Sequence, residues 1–124
     1  GVPVGENLEP EGTVLYVEDN PVNLLLVQQL LERWPRVHLL HAENGAEGLA
    51  RARKVAPVDL LLLDMQLPDT DGISVLCQLR EDPAISAIPV VVLSASAMED
   101  EVHAALDAGA LEYWTKPLDF TQFL

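Results

Sequence analysis

The chain has 124 residues, 49% of them hydrophobic, and a formal net charge of −13. That length gives one domain with a single real core, and the apolar content excludes wholesale disorder. So acidic a balance argues against nucleic acid, whose binding depends on neutralising phosphates, and equally against contact with an anionic membrane surface.

No apolar run approaches the roughly 20 residues needed to span a bilayer. The opening Gly1-Val2-Pro3-Val4-Gly5 lacks the basic and apolar regions of a signal peptide. The one cysteine, Cys77, cannot close an internal disulfide, so a reducing cytoplasm is the expected compartment. Cys77 reads as a small helical residue, since no positioned histidine base accompanies it.

Residues 1–12, with two prolines, three glycines and three glutamates, read as a linker. The first strand is predicted from about Thr13 through Val17. Asn20 then serves as an N-cap with Pro21 at the first helical position, opening a helix to about Trp34 that Pro35 stops. His38 to His41 is a short edge strand. Asn44 caps a second helix ending near Val55, and Pro57 punctuates before Val58-Asp59-Leu60-Leu61-Leu62-Leu63. That run reads as a strand buried on both faces. Gly72 to about Glu81 is a third helix, stopped by Asp82-Pro83. Pro89 to Leu93 is the fourth strand, Met98 to Ala108 the fourth helix with Gly109 at its C′ position, and Leu111 to Thr115 the fifth strand. Strand and helix alternate, which predicts an α/β fold: a parallel sheet with helices on both faces. After Asp119, the residues Phe120, Phe123 and Leu124 supply barely one helical turn. The chain also does not begin with Met. We therefore expect a domain taken from a longer protein and cut within its final helix.

The strand ends carry the chemistry. The first delivers Glu18 and Asp19, the buried third delivers Asp64, the fourth Ser94 and the fifth Lys116. An open α/β sheet places its ligands beyond these C-terminal ends. Like charges about 4 Å apart repel by several kcal/mol even at an effective dielectric near 20, so the acids must retain a proton or bind a cation. Oxygen ligands without His or Cys select a hard ion such as Mg²⁺. Such a site suits phosphoryl transfer, with Asp64 as nucleophile and Lys116 offsetting transition-state charge. A merely solvated acidic rim would not call for Ser94 and Lys116 as well.

Residues 13–120 resemble the receiver (phosphoacceptor) domain of two-component response regulators. The resemblance lies in Val17-Glu18-Asp19-Asn20, in Leu63-Asp64-Met65-Gln66-Leu67-Pro68-Asp69-Thr70-Asp71-Gly72, in Leu93-Ser94-Ala95, and in the segment from Gly109 to Lys116-Pro117. Each piece alone is weak; four in order are specific. The resemblance implies a flavodoxin-like, CheY-like fold with strand order 2-1-3-4-5, the receiver occupying residues 13–124. It implies that Asp64 takes a phosphoryl group from a histidine kinase or a histidine phosphotransfer protein. Glu18, Asp19 and Asp64 would hold Mg²⁺ with the backbone carbonyl of Gln66. Lys116 and Ser94 would bind the phosphoryl group, Pro117 would follow a cis bond, and Ser94 with Tyr113 would form the switch. Gln66 and Ser96 stand where the family tunes phosphoryl lifetime. The run Glu18-Asp19-Asn20-Pro21-Val22-Asn23 looks most like receivers of hybrid histidine kinases.

On the first helix, Asn23, Val27, Leu30, Leu31 and Trp34 share a face that should bury against the sheet. Val22 and Leu25 are left opposite, either as scattered surface hydrophobes or as a docking patch for a phosphotransfer helical bundle. His38, His41 and His103 lack metal-like spacing, and the sequence leaves Trp114 open between packing and an output face. Two other functions compete. A haloacid-dehalogenase-like phosphohydrolase wants a second Asp where this chain has Gln66. A pseudo-receiver interaction module that is never phosphorylated would have no use for the intact Glu18, Asp19, Asp64, Ser94 and Lys116.

Overall fold

The computed structural model describes residues 11–55 and 57–116. Five strands form one parallel sheet: β1 (Gly12–Val17), β2 (Val37–Ala42), β3 (Leu60–Asp64), β4 (Val90–Ser94) and β5 (Glu112–Thr115), ordered β2-β1-β3-β4-β5. Four helices lie between them: α1 (Pro21–Leu31), α2 (Gly45–Lys54), α3 (Gly72–Glu81) and α4 (Glu99–Asp107). The strand order is the expected one. The first strand begins one residue earlier than predicted.

The Leu/Val-rich central strands are buried on both faces because each face has its own helices. Side-chain alternation sorts the residues. Leu15, Val17, Leu61, Leu63, Val90 and Val92 pack with Leu49 of α2, with Val75, Leu76 and Leu79 of α3, and with Ala105 of α4. Tyr16, Leu62, Val91, Leu93 and Trp114 form the other cluster with Val27 and Leu31 of α1. Trp114, undecided from sequence, is thus a core residue. The register is continuous across the centre, with Val17 beside Leu63 and Asp64 beside Leu93. One sheet edge therefore collects the strand termini.

Caps set the helix starts. The side chains of Asn20, Asn44 and Asp71 accept from the backbone N–H groups of Val22, Glu47 and Ser74. Met98 caps α4 without a side-chain bond, and Glu99, Asp100 and Glu101 supply negative charge at its first turn. Its end is a Schellman motif: Gly109 has φ +109°, and the Ala110 and Gly109 amides donate to the Ala105 and Leu106 carbonyls. Helix α1 ends at Leu31, short of the predicted Trp34. The residue before Pro35 is pushed out of the helical region, and the chain instead turns with Trp34 N–H on the Leu31 carbonyl at 3.0 Å.

Candidate functional site

The C-terminal ends of β1, β3, β4 and β5, or the residues just beyond them, bring polar side chains to one cleft. The Glu18 amide donates to the Ala42 carbonyl at 2.9 Å, which extends the β1–β2 ladder one residue and fixes the carboxylate beside β3. Asp64 and Ser94 are the last residues of β3 and β4, and the Lys116 amide donates to the Ser94 carbonyl at 2.7 Å. Glu18, Asp19, Asn20, Asn23, Asp64, Gln66, Ser94 and Lys116 are among the residues lining a cleft of about 320 Å³.

Burial makes this cleft expensive. Glu18 is 1% exposed, and Asp64 and Ser94 are each 5% exposed. Carboxylates so far from water require partners. Lys116 Nζ lies 3.1 Å from Asp64 Oδ1 and 3.3 Å from both oxygens of Glu18. Asn23 Nδ2 donates to Glu18 Oε1 at 2.5 Å, and the Gln66 amide donates to Asp64 Oδ1 at 3.4 Å. Burial pushes the Glu18 carboxyl up to about 7, the neighbouring Asp64 adds to the rise, and Asn23 and Lys116 pull against it.

Asp19 is exposed, yet carboxylate oxygens of Glu18, Asp19 and Asp64 all lie within 4.8 Å of one another. Once all three carboxylates are ionised they outnumber the Lys116 ammonium beside them among the described residues, leaving an excess of negative charge at an all-oxygen site. That donor set fits a hard divalent cation.

The loop after β3 is built for rigidity. Gln66 and Asp71 form an isolated antiparallel bridge, the Leu67 amide donates to the Thr70 carbonyl, and the Gly72 amide donates to the Met65 carbonyl. Asp69 ties this loop to α2, accepting from the amides of Gly45 at 2.8 Å and Ala46 at 3.0 Å. Those bonds hold its carboxyl below the usual carboxylate range.

Glu18, Asp19, Asp64, Gln66, Ser94 and Lys116 are brought together as the sequence predicted. Tyr113 stands outside the cleft but connects to it: its ring packs on the core, and its hydroxyl donates to the Ser96 carbonyl at 2.7 Å. The Ser96 amide in turn donates to Ser94 Oγ at 3.1 Å. Val22 and Leu25 are 62% and 52% exposed on α1, joined there by Leu26. Pro117, the final-helix residues and the linker up to residue 10 lie outside the described residues. His41 is satisfied by the Glu18 carbonyl at 2.6 Å, and His38 and His103 are exposed. Sequence reasoning placed Asn23 on the buried face of α1 but missed it as a site residue. The available signal was its polarity on an otherwise apolar face, five positions after Glu18.

This architecture and site define a phosphoacceptor switch, and the whole-chain comparison agrees. Residues 14–124 match the family described as "Response regulator receiver domain", and the chain belongs to that family. It is 35% identical over 118 residues to the signal transduction histidine-protein kinase BarA of Escherichia coli K12, covering 95% of this chain but 13% of that protein. The polar-differentiation response regulator DivK of Brucella anthropi is 34% identical over 112 residues, covering 90% of this chain and 89% of DivK. Among solved structures, the receiver domain of a sensor histidine kinase from Pseudomonas aeruginosa PAO1, with magnesium ion coordinated in its active-site cleft, superposes with a TM-score of 0.79. It is 26% identical and covers 92% of each chain. The domain is a receiver of two-component signalling. Among the described residues, no helix is long and apolar enough to cross a membrane.

Proposed function

We propose that Asp64 is the phosphoacceptor, taking a phosphoryl group from a phosphohistidine on a histidine kinase or histidine phosphotransfer protein. The observation that carries this is the buried Asp64 carboxylate at the cleft, 3.1 Å from Lys116 Nζ and clustered with Glu18 and Asp19. A carboxylate oxygen of Asp64 attacks phosphorus. The P–N bond breaks, and its electron pair returns to the imidazole, which gains a proton. Lys116 moves from neutralising carboxylates to neutralising phosphoryl oxygens. Glu18, Asp19, Asp64 and the Gln66 carbonyl would hold Mg²⁺, which supplies charge neutralisation for phosphoryl transfer. The same site accepts phosphoryl from small donors and returns it to water, so the domain phosphorylates and dephosphorylates itself.

Phosphorylation adds about −1.5 to −2 charges and three strong acceptors. Ser94 Oγ turns to one of them, loosening its bond from Ser96, whose carbonyl anchors Tyr113. The face around α4 and β5 then changes. The domain works on the cytoplasmic side, without nucleic-acid or membrane contact of its own. The chain spans 13% of BarA, and we place it in a hybrid histidine kinase of that kind. Val22 and Leu25 beside the cleft dock the phosphotransfer bundle. Leu25→Arg should then slow transfer from such a partner, while labelling by a small phosphodonor stays unchanged; equal transfer would refute the patch.

The deciding experiment treats wild type and Asp64→Asn with acetyl phosphate, with and without Mg²⁺, followed by intact mass and phosphate release. We expect one phosphoryl group that requires Mg²⁺ and is absent from the variant. Neither adduct nor phosphate release from folded wild type would leave an unphosphorylated interaction module.

A further inference from the structure

Asn23 occupies the first turn of α1 and faces the sheet with Val27, Leu30 and Leu31, all buried apolar residues. A carboxamide there must be satisfied, and its Nδ2 donates to Glu18 Oε1 at 2.5 Å. Glu18 has two such partners with different obligations. Lys116 is shared with Asp64, at 3.1 Å, and stands 3.3 Å from each Glu18 oxygen. Asn23 donates its one side-chain hydrogen bond among the described residues to Glu18. When Lys116 follows the phosphoryl group, the amide is what remains to hold the Glu18 carboxylate. The amide also adds a donor without adding charge. A lysine or arginine at this position would reduce the negative excess that attracts a divalent ion.

We infer that Asn23 is a positioning residue for the divalent cation, its amide fixing the orientation in which Glu18 presents its carboxylate to the cleft. This role rests on the cation reading proposed above. Partners that orient metal ligands contribute about 10- to 100-fold in metal affinity. Asn23→Leu is close to isosteric, keeps the packing and removes the hydrogen bond.

The test is calorimetric titration of Mg²⁺ into wild type, Asn23→Leu, Glu18→Gln and the double variant, with thermal melts of each in EDTA. We expect Asn23→Leu to weaken Mg²⁺ binding about 10- to 100-fold while staying folded in EDTA, its melting temperature at or somewhat below that of wild type because Glu18 loses one donor but keeps Lys116. In the Glu18→Gln background the same change should weaken binding further by under about threefold, because the residue acts through Glu18. Unchanged Mg²⁺ binding by Asn23→Leu would overturn the role and leave the cation site standing. The full loss persisting without Glu18 would also overturn it. No saturable Mg²⁺ binding by folded wild type would overturn the cation site itself, and this role with it.

Discussion

Arg80, at the end of α3, shows how one side chain can serve three segments at once. Its Nη1 donates to the Ser86 and Ile88 carbonyls at 2.8 and 2.7 Å, and its Nη2 donates to the Gly109 carbonyl at 2.7 Å. Those carbonyls precede β4 and β5, so the guanidinium fork pins the entry of two strands whose exits carry Ser94 and Lys116. Lysine could not reproduce the planar fork. Burial pulls the Arg80 pKa down, but a guanidinium stays charged. Arg80→Met keeps the stem and strands the carbonyls, a loss of about 2–3 kcal/mol. Urea unfolding should show it as a lower midpoint with unchanged slope; a shift under about 0.5 kcal/mol would mean water replaces the guanidinium. None of this could be read from the sequence, where Arg80 is a basic residue in a helix's last turn. Its partners lie up to 29 positions away.

At the scale of elements, the site depends on how closely α3 approaches the end of β3. A Cβ on Gly72 would lie 2.9 Å from both the Asp64 carbonyl oxygen and Met65 Cα. Backbone cannot swing aside as a flexible side chain can. Gly72→Ala should therefore cost about 1–3 kcal/mol and displace Asp64, cutting the rate of labelling by acetyl phosphate more than tenfold. Normal labelling at lowered stability would show that the strand end is not what moved. The contrast with Arg80 explains what the sequence reveals. Apolar runs locate buried strands, and the residue at each run's end inherits a known place at the sheet edge. Glu18, Asp64, Ser94 and Lys116 were therefore legible together. Asn23 and the Asp69 tie to α2 were not, because their partners belong to other elements. The early end of α1 at Leu31 was missed because an apolar stripe continues to Trp34 after the backbone has left the helix. Trp114 became a core residue only once the strand register showed which face it shares.

For the whole molecule, a net charge of −13 is sustainable only where acids face water or have partners, and Glu18 faces no water. Its carboxyl rises from an ordinary 4.5 to about 7, mainly through burial. Between those values the folded state holds more protons than the unfolded state. In EDTA this group's contribution to stability is therefore fully present at low pH and is lost as pH rises from about 4.5 to about 7. Other carboxyls act oppositely at lower pH: Asp82, hydrogen-bonded to Arg53, and Asp69 are both held down. The Glu18 component is thus the difference between wild type and Glu18→Gln. Mg²⁺ reverses the pH preference, since a cation must displace the proton. Apparent Mg²⁺ affinity should climb with pH and level off above about 7, with up to one proton released per ion bound below that point. Titration calorimetry in two buffers of different ionisation enthalpy, from about pH 5.5 to about pH 8.5, measures both quantities. An affinity flat across that range with no proton released would mean Glu18 is already ionised in the free domain. Lys116 and Asn23 would then outweigh burial.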